Sequence, residues 1–235
     1  MSGYGSDSGE QGITYPETNL PTFADAVVGA LVGKPSINFG PLNAVLDNTA
    51  TRGFHVIESA AQGTVQNVML AYGMRAAPVT GDAVFCAPLP ILSYKTVGAM
   101  ATVNFGGLDV LTGMNYDEFW GKLVHVYGAE TGANSGNTPN VDGGAATTAG
   151  GWMMVHIGAY AGTGSATISI DDSANGTSWI ALSGATSGAI AHTAMPYSAI
   201  VQLGTTATVR QYLRFQVALS TLTSVTFSLG FVRGR

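Results

Sequence analysis

Residues 150–182 read GGWMMVHIGAYAGTGSATISIDDSANGTSWIAL, and they narrow the fold more than any other part of the chain. Three strand-like runs follow one another there, at 152–159, 165–171 and 177–182. In the second, Ala166, Ile168 and Ile170 alternate with Thr167, Ser169 and Asp171, so one face of the run is apolar and the other is wet. Asn175-Gly176, between the last two runs, offers the two positive-φ positions of a tight hairpin turn. Alternation with such a turn is the pattern of an antiparallel sandwich or barrel. The stretch holds no visible catalytic chemistry.

Only 10% of the residues are charged, against roughly 25% in an ordinary soluble domain. A surface so poor in charge tends to associate, which points to a chain covered by neighbouring copies. Charge is also uneven. Up to Gly121 there are ten acids and four bases, a net of −6; from Lys122 onward four acids and five bases give +1. No Lys/Arg cluster offers a phosphate-binding face. A single cysteine, Cys86, excludes an intrachain disulfide. The opening MSGYGSDSGEQG lacks the basic and apolar regions of a signal peptide, and no apolar run approaches the ~20 residues of a membrane span. Synthesis and folding in a reducing cytoplasm are expected.

Taken in order, residues 1–21 read as a polar, Gly/Ser-rich, flexible arm. One or two helical turns are expected after Thr22, weakened by Gly29 and Gly33 and ended by Pro35. Strands are expected at 54–58, 66–74, 83–86 and 96–105, with an edge strand or loop at 87–94 because of Pro88 and Pro90. A short helical turn is expected at 116–120. The run 122–127 is another strand. Residues 128–151 are too long for an idle loop, and read either as functional or as two short strands around Val141 and Thr147. Further strands follow at 189–194, 197–203, 210–218 and 224–232. The expectation is a mainly β chain, an antiparallel β-sandwich or barrel with at most short helices. Its parts are the arm 1–21, a β-rich part 22–121 and a sandwich part 122–235.

Side chains capable of chemistry are scattered. His55, His125, His156 and His192 are widely spaced within or beside strand-like runs and lack H-x-H or H-x-x-x-H pairing, so structural roles are favoured over a metal site. Asp171, Asp172 and Asn175 resemble a fragment of a calcium loop, but the EF-hand spacing and its bidentate Glu are missing, and turn preference accounts for them. There is no G-x-S-x-G elbow and no P-loop lysine. Cys86 sits in the apolar run AVFCAPL as a small buried thiol, and the adjacent Asp117 and Glu118 would not converge on a substrate if extended. Trp152, Tyr160, Trp179 and Tyr197 could form a sugar-stacking platform, with core packing the favoured alternative. No catalytic, cofactor or metal residues are assigned, and an enzyme is not expected.

The second half, about 122–235, resembles the C-terminal part of the major tail (tail tube) proteins of long-tailed bacteriophages. The matching text is LVHVYGAETGANSG, VDGGAATTAGGWMMVHIGAYAG, ATISIDDSANGTSWIAL and VRQYLRFQVALSTLTSVTFSLGFVRGR. Its elements fall on the turn 141–151, the hairpin 172–179, the strand 210–214 and the last strand 226–235. Gln211 departs from the family's Arg-Tyr-Leu-Arg. The resemblance implies a virion protein that self-assembles into stacked, hexameric rings around a channel. Other tail proteins would be its partners, DNA would pass through without specific binding, and no cofactor or membrane would be involved. Open sheet edges that pair between copies, and an acidic first half lining a lumen, fit that implication. A capsid decoration protein and a carbohydrate-binding host-adhesion module are the alternatives.

Overall fold

A computed structural model describes residues 61–72, 77–105, 119–132 and 140–234, together with the backbone of short strands before residue 46. Among the described residues the strands are β1 Gly5–Asp7, β2 Gln11–Thr14, β3 Glu17–Leu20, β4 Gly29–Val32, β5 Ser36–Phe39, β6 Leu42–Val45, β7 Val65–Tyr72, β8 Ala83–Val97, β9 Met100–Phe105, β10 Trp120–Glu130, β11 Val141–Asp142, β12 Gly151–Ser173, β13 Ile180–Ala191, β14 Tyr197–Gln202 and β15 Tyr212–Arg233. All the pairings with a defined register are antiparallel, and one 3-10 turn at His192–Ala194 is the helical element described. The mainly antiparallel β fold expected from the alternation is therefore what the chain adopts.

The chain divides into two compact units, Met1–Gln66 with Pro88–Thr112, and Asn67–Ala87 with Gly113–Arg235. This differs from a linear cut at 121, because 67–87 belongs with the C-terminal part. In the first unit, β1, β6, β9 and β8 are successive neighbours, and β2–β5 and β3–β4 form two-stranded pairs. The stretch 1–21 thus carries three strands, where a flexible arm was expected. Ladder partners later in the chain, such as Ile37 opposite Ile13 and Gly29 opposite Leu20, supply what a polar arm lacks alone. Gly29–Val32, expected to be helical, is a strand for the same reason. His55, Asp117, Glu118 and the strand expected at 54–58 lie outside the described residues.

Strand β8 runs through Pro88 and Pro90, where an edge strand or a loop was expected, and residues 84–89 are buried. Its pairing with β10 covers Ala83 to Phe85 and its pairing with β9 begins at Ile91. Neither proline is a paired position of those two ladders, so neither loses a bond to the N–H that proline lacks. β8 also pairs with β7, and beside Pro90 the Ile91 N–H donates to the Thr64 carbonyl.

The second unit is built on one long ladder. β12, 23 residues, pairs with β15, 22 residues, from Gly151↔Arg233 to Ser173↔Tyr212. Four separate strands were expected here. Both strands bend at the same place, where the register slips between Ala161 and Ser165. Gly162 at φ +92° and Thr221 at φ +61° turn the backbone, and a side chain at Gly164 would run into the Ser220 carbonyl. The Thr221 hydroxyl donates to the Thr163 carbonyl at 2.6 Å and holds the β-branched residue in a conformation it rarely adopts.

The bend lays one half of the ladder over the other. β14 and β10 flank the half 151–161/224–233, and β13 and β11 flank the half 165–173/212–220. Met153, Val155, Ile157, Phe227 and Leu229 from one half meet Ile168, Ile170, Phe215 and Val217 from the other in one buried cluster. The rings of Phe215 and Phe227 lie 5.8 Å apart across that seam. The result is a sandwich made from one folded sheet, which does not close into a barrel. The other side of Met154 and Trp152 is buried too. Phe119 bridges Trp152 and Phe85 with centroids 6.4 and 6.2 Å away.

Candidate functional site

Three of the four matching stretches, 141–162, 166–182 and 209–235, meet at one corner of the second unit. Asp171 on β12 faces Arg214 on β15 as a direct cross-strand partner. The guanidinium donates to Asp171 Oδ2 from Nε at 3.0 Å and Nη2 at 2.8 Å, and Gln216 Nε2 adds a third bond at 2.8 Å. Arg214 also lies over the Trp179 ring, 4.7 Å from its centroid. The next residue, Asp172, projects to the opposite face by strand alternation. Its buried carboxylate accepts the Arg210 backbone N–H at 2.8 Å and Nη1 at 3.0 Å.

The turn 141–151 joins this corner through its two short β segments, the β11 pair and a bridge between Thr147 and Val209, the second of the two readings of that stretch. Asp142 Oδ1 accepts Gln211 Nε2 at 3.0 Å and the Gly144 N–H at 2.8 Å. Those two bonds, and more weakly the charge of Arg233, hold the exposed Asp142 carboxyl below its usual range. Gln211, the departure from the family pattern, is thus the residue that ties the turn to β15. Arg233 closes the corner from the last strand. Its Nη2 donates to the carbonyls of Arg210 at 2.6 Å and Gln211 at 2.7 Å, and its Nη1 to Val209 at 3.1 Å. Burial draws its own pKa down from the ordinary value. Gly143 leaves room for it, because a Cβ there would overlap the guanidinium and oblige Arg233 to shift from its carbonyl partners.

Chemically this corner is a joint. Asp171 and Asp172 point to opposite faces and each is matched by an arginine, which is incompatible with a calcium cage of six to eight converging oxygens. The turn between β12 and β13 is also looser than a two-residue hairpin. It spans 174–179, and of the pair only Gly176, at φ +73°, has a positive φ. Asn175 instead accepts the N–H groups of Thr177 at 3.0 Å and Ser178 at 2.8 Å on its side-chain oxygen, an Asx turn that replaces the tight one.

The described histidines are apart from this corner and from any metal cluster; among the described residues no three His, Cys, Asp or Glu side chains gather to hold an ion. His125 is buried in the sandwich seam, stacked on Phe227 at 4.2 Å, with Nδ1 3.2 Å from the Phe227 carbonyl and Nε2 2.9 Å from Glu130. His156 stands between Ser198 and Ser228 on neighbouring strands. Its Nε2 atom is buried without a hydrogen-bond partner among the described residues, and burial lowers its pKa to about 4. His192 meets the backbone of Gly164 at the bend. Burial raises the Cys86 thiol far above its ordinary range. Trp152 is fully buried and Trp179 is covered by Arg214, so the four aromatics named in the sequence do not make a common platform. The Asp142–Gln211 and His125–Glu130 pairs had no sequence signal, since each depends on how strands are brought together.

No protein-family model matches the chain, and no curated protein matches it. Among solved structures, a chain from the phage P2 baseplate in its activated conformation with Ca is similar at 10% identity and TM-score 0.32, covering 98% of this chain and 90% of its own. The SPP1 Dit (gp 19.1) protein, described as a paradigm of hub adsorption apparatus in phages infecting Gram-positive hosts, is similar at 11% identity and TM-score 0.26, with 96% and 93% covered. Both scores lie below the level at which a likeness bears on fold or function. No helix among the described residues is long and apolar enough to cross a membrane.

Proposed function

We propose that the chain is a structural protein of a bacteriophage tail, a tube subunit whose activity is self-assembly into stacked hexameric rings around a channel for DNA. The observation that carries this reading is the corner just described. Of the four matching stretches, three are joined there, 141–162, 166–182 and 209–235, by Asp171–Arg214, Asp172–Arg210 and Asp142–Gln211, and Arg233 of the last is bonded to carbonyls 209–211. The resemblance of those three therefore describes one physical feature of a scaffold rather than separate coincidences.

Two further features agree. β13 ends the strand order, so its outer edge is free to pair among the described residues, and a sparse charge density suits burial between copies. Three of the nine basic residues, Arg210, Arg214 and Arg233, are committed to carboxylate and carbonyl partners, and the sequence gathers no Lys/Arg cluster for holding phosphates. On this reading the chain is no enzyme, and it resides in the virion after synthesis in the host cytoplasm. Antibody labelling of the parent particle tests the assignment. Label spaced along the whole tail is expected; label confined to the capsid or to the tail tip would overturn it.

A further inference from the structure

The chain contains one Asn-Gly dipeptide, Asn175-Gly176, at the tip between β12 and β13. Asn-Gly is chemically fragile because glycine places no side chain over its own backbone nitrogen. That nitrogen can attack the asparagine Cγ. Here the reacting groups are held. Ser173, itself fully buried, accepts the Gly176 N–H on its hydroxyl oxygen at 3.0 Å and donates its proton to Asn175 Oδ1 at 3.0 Å. The N–H groups of Thr177 and Ser178 fix the same oxygen from the other side. Nucleophile and electrophile are both tied to one buried hydroxyl.

We propose that Asn175 is the site of spontaneous deamidation in this chain, and that Ser173 holds the reaction back while the protein is folded. In the reaction, water removes the Gly176 N–H proton and the nitrogen forms a bond to Asn175 Cγ. The Cγ–Nδ2 bond breaks, Nδ2 takes up a proton from solvent and ammonia departs. Water then opens the five-membered imide at either carbonyl to give aspartate or isoaspartate. The net change is one water consumed and one ammonia released, with no oxidant or reductant. The product carries an added carboxylate beside Asp171 and Asp172, which takes the formal charge from −5 to −6. The isoaspartate form also inserts a methylene into the main chain and withdraws the acceptor that Thr177 and Ser178 use. The tip that leads from one edge of the joint into β13 would thus loosen as the protein ages.

The test is peptide mapping by mass spectrometry, resolving aspartate from isoaspartate, after incubation at mildly alkaline pH. Folded wild type, wild type unfolded in urea and folded Ser173→Ala are compared. Each of the two restraining bonds is worth about a fivefold factor, so folded wild type is expected to react at least about tenfold more slowly than the unfolded chain. Ser173→Ala is expected to recover most of that difference while still folded. Equal rates in folded and unfolded wild type, or a Ser173→Ala rate equal to that of folded wild type, would overturn the proposal. Hydrogen exchange of the Gly176 N–H in wild type gives a readout that needs no variant. Protection is expected, and unrestrained exchange would contradict the role given to Ser173.

Discussion

Arg214 reaches the carboxylate of Asp171, its direct cross-strand partner, with two nitrogens at 3.0 and 2.8 Å while its guanidinium carbon lies 4.7 Å from the centre of the Trp179 ring. A planar fork does both tasks at once, and an ammonium does neither well. Arg214→Lys keeps the charge but loses a donor and the stacking, so a loss of about 1–2 kcal/mol is expected. Urea denaturation measures it. A lysine variant as stable as wild type would show that the fork and the stack contribute nothing.

Gly230 tests the packing behind the sandwich. A Cβ there would sit 2.8 Å from Cys86 Sγ and 3.3 Å from Val84 Cγ1, both on a buried segment of β8. Gly230→Ala is expected to cost about 1–3 kcal/mol by overpacking. Adding Cys86→Ala removes the nearer obstacle and should restore part of that loss. Strictly additive effects of the two changes would argue that the residues do not touch.

The alternating run 166–171 made the antiparallel sheet legible, because period-2 patterning is local and Ile168 and Ile170 are indeed in the core. The two short β segments at Val141 and Thr147 were one of two readings the length of that stretch left open, the other being a functional loop. The corner was legible only as a set of motifs. Which aspartate meets which arginine follows from the β12–β15 register, and no local pattern encodes it. The length of those strands was hidden as well. The gaps left between the strands expected at 152–159 and 165–171, and at 210–218 and 224–232, hold Gly162, Gly164 and Thr221, which bend a ladder that continues beyond them. Pro88 and Pro90 misled for a related reason, since a proline forbids only a donated hydrogen bond and neither is a paired position of the β8–β10 or β8–β9 ladder.

His156 makes the stability depend on acid. Burial lowers its pKa from 6.5 to about 4, so the folded state favours the neutral ring. Its contribution is complete above the unfolded value and is lost as pH falls from about 6.5 towards 4, by up to about 3 kcal/mol. His156→Gln, neutral throughout, should lose less stability than wild type between pH 7 and pH 4.5 in urea titrations. Identical losses in the two proteins would remove His156 as the cause.

Truncation probes the first unit. β1, β2 and β3 lie within residues 1–21 and pair with β6, β5 and β4. Deleting 1–21 should speed hydrogen exchange at Gly29–Val32 and Ser36–Phe39 while Tyr212–Arg233 stays protected. Unchanged exchange in β4 and β5 would contradict the pairing.

The measurement that bears most directly on the proposed role is negative-stain microscopy of the purified, untagged full-length chain across a concentration series. Rings that stack into tubes with a continuous central channel are the expected result. Dispersed monomers at every concentration, with no rings or tubes at the highest, would contradict it.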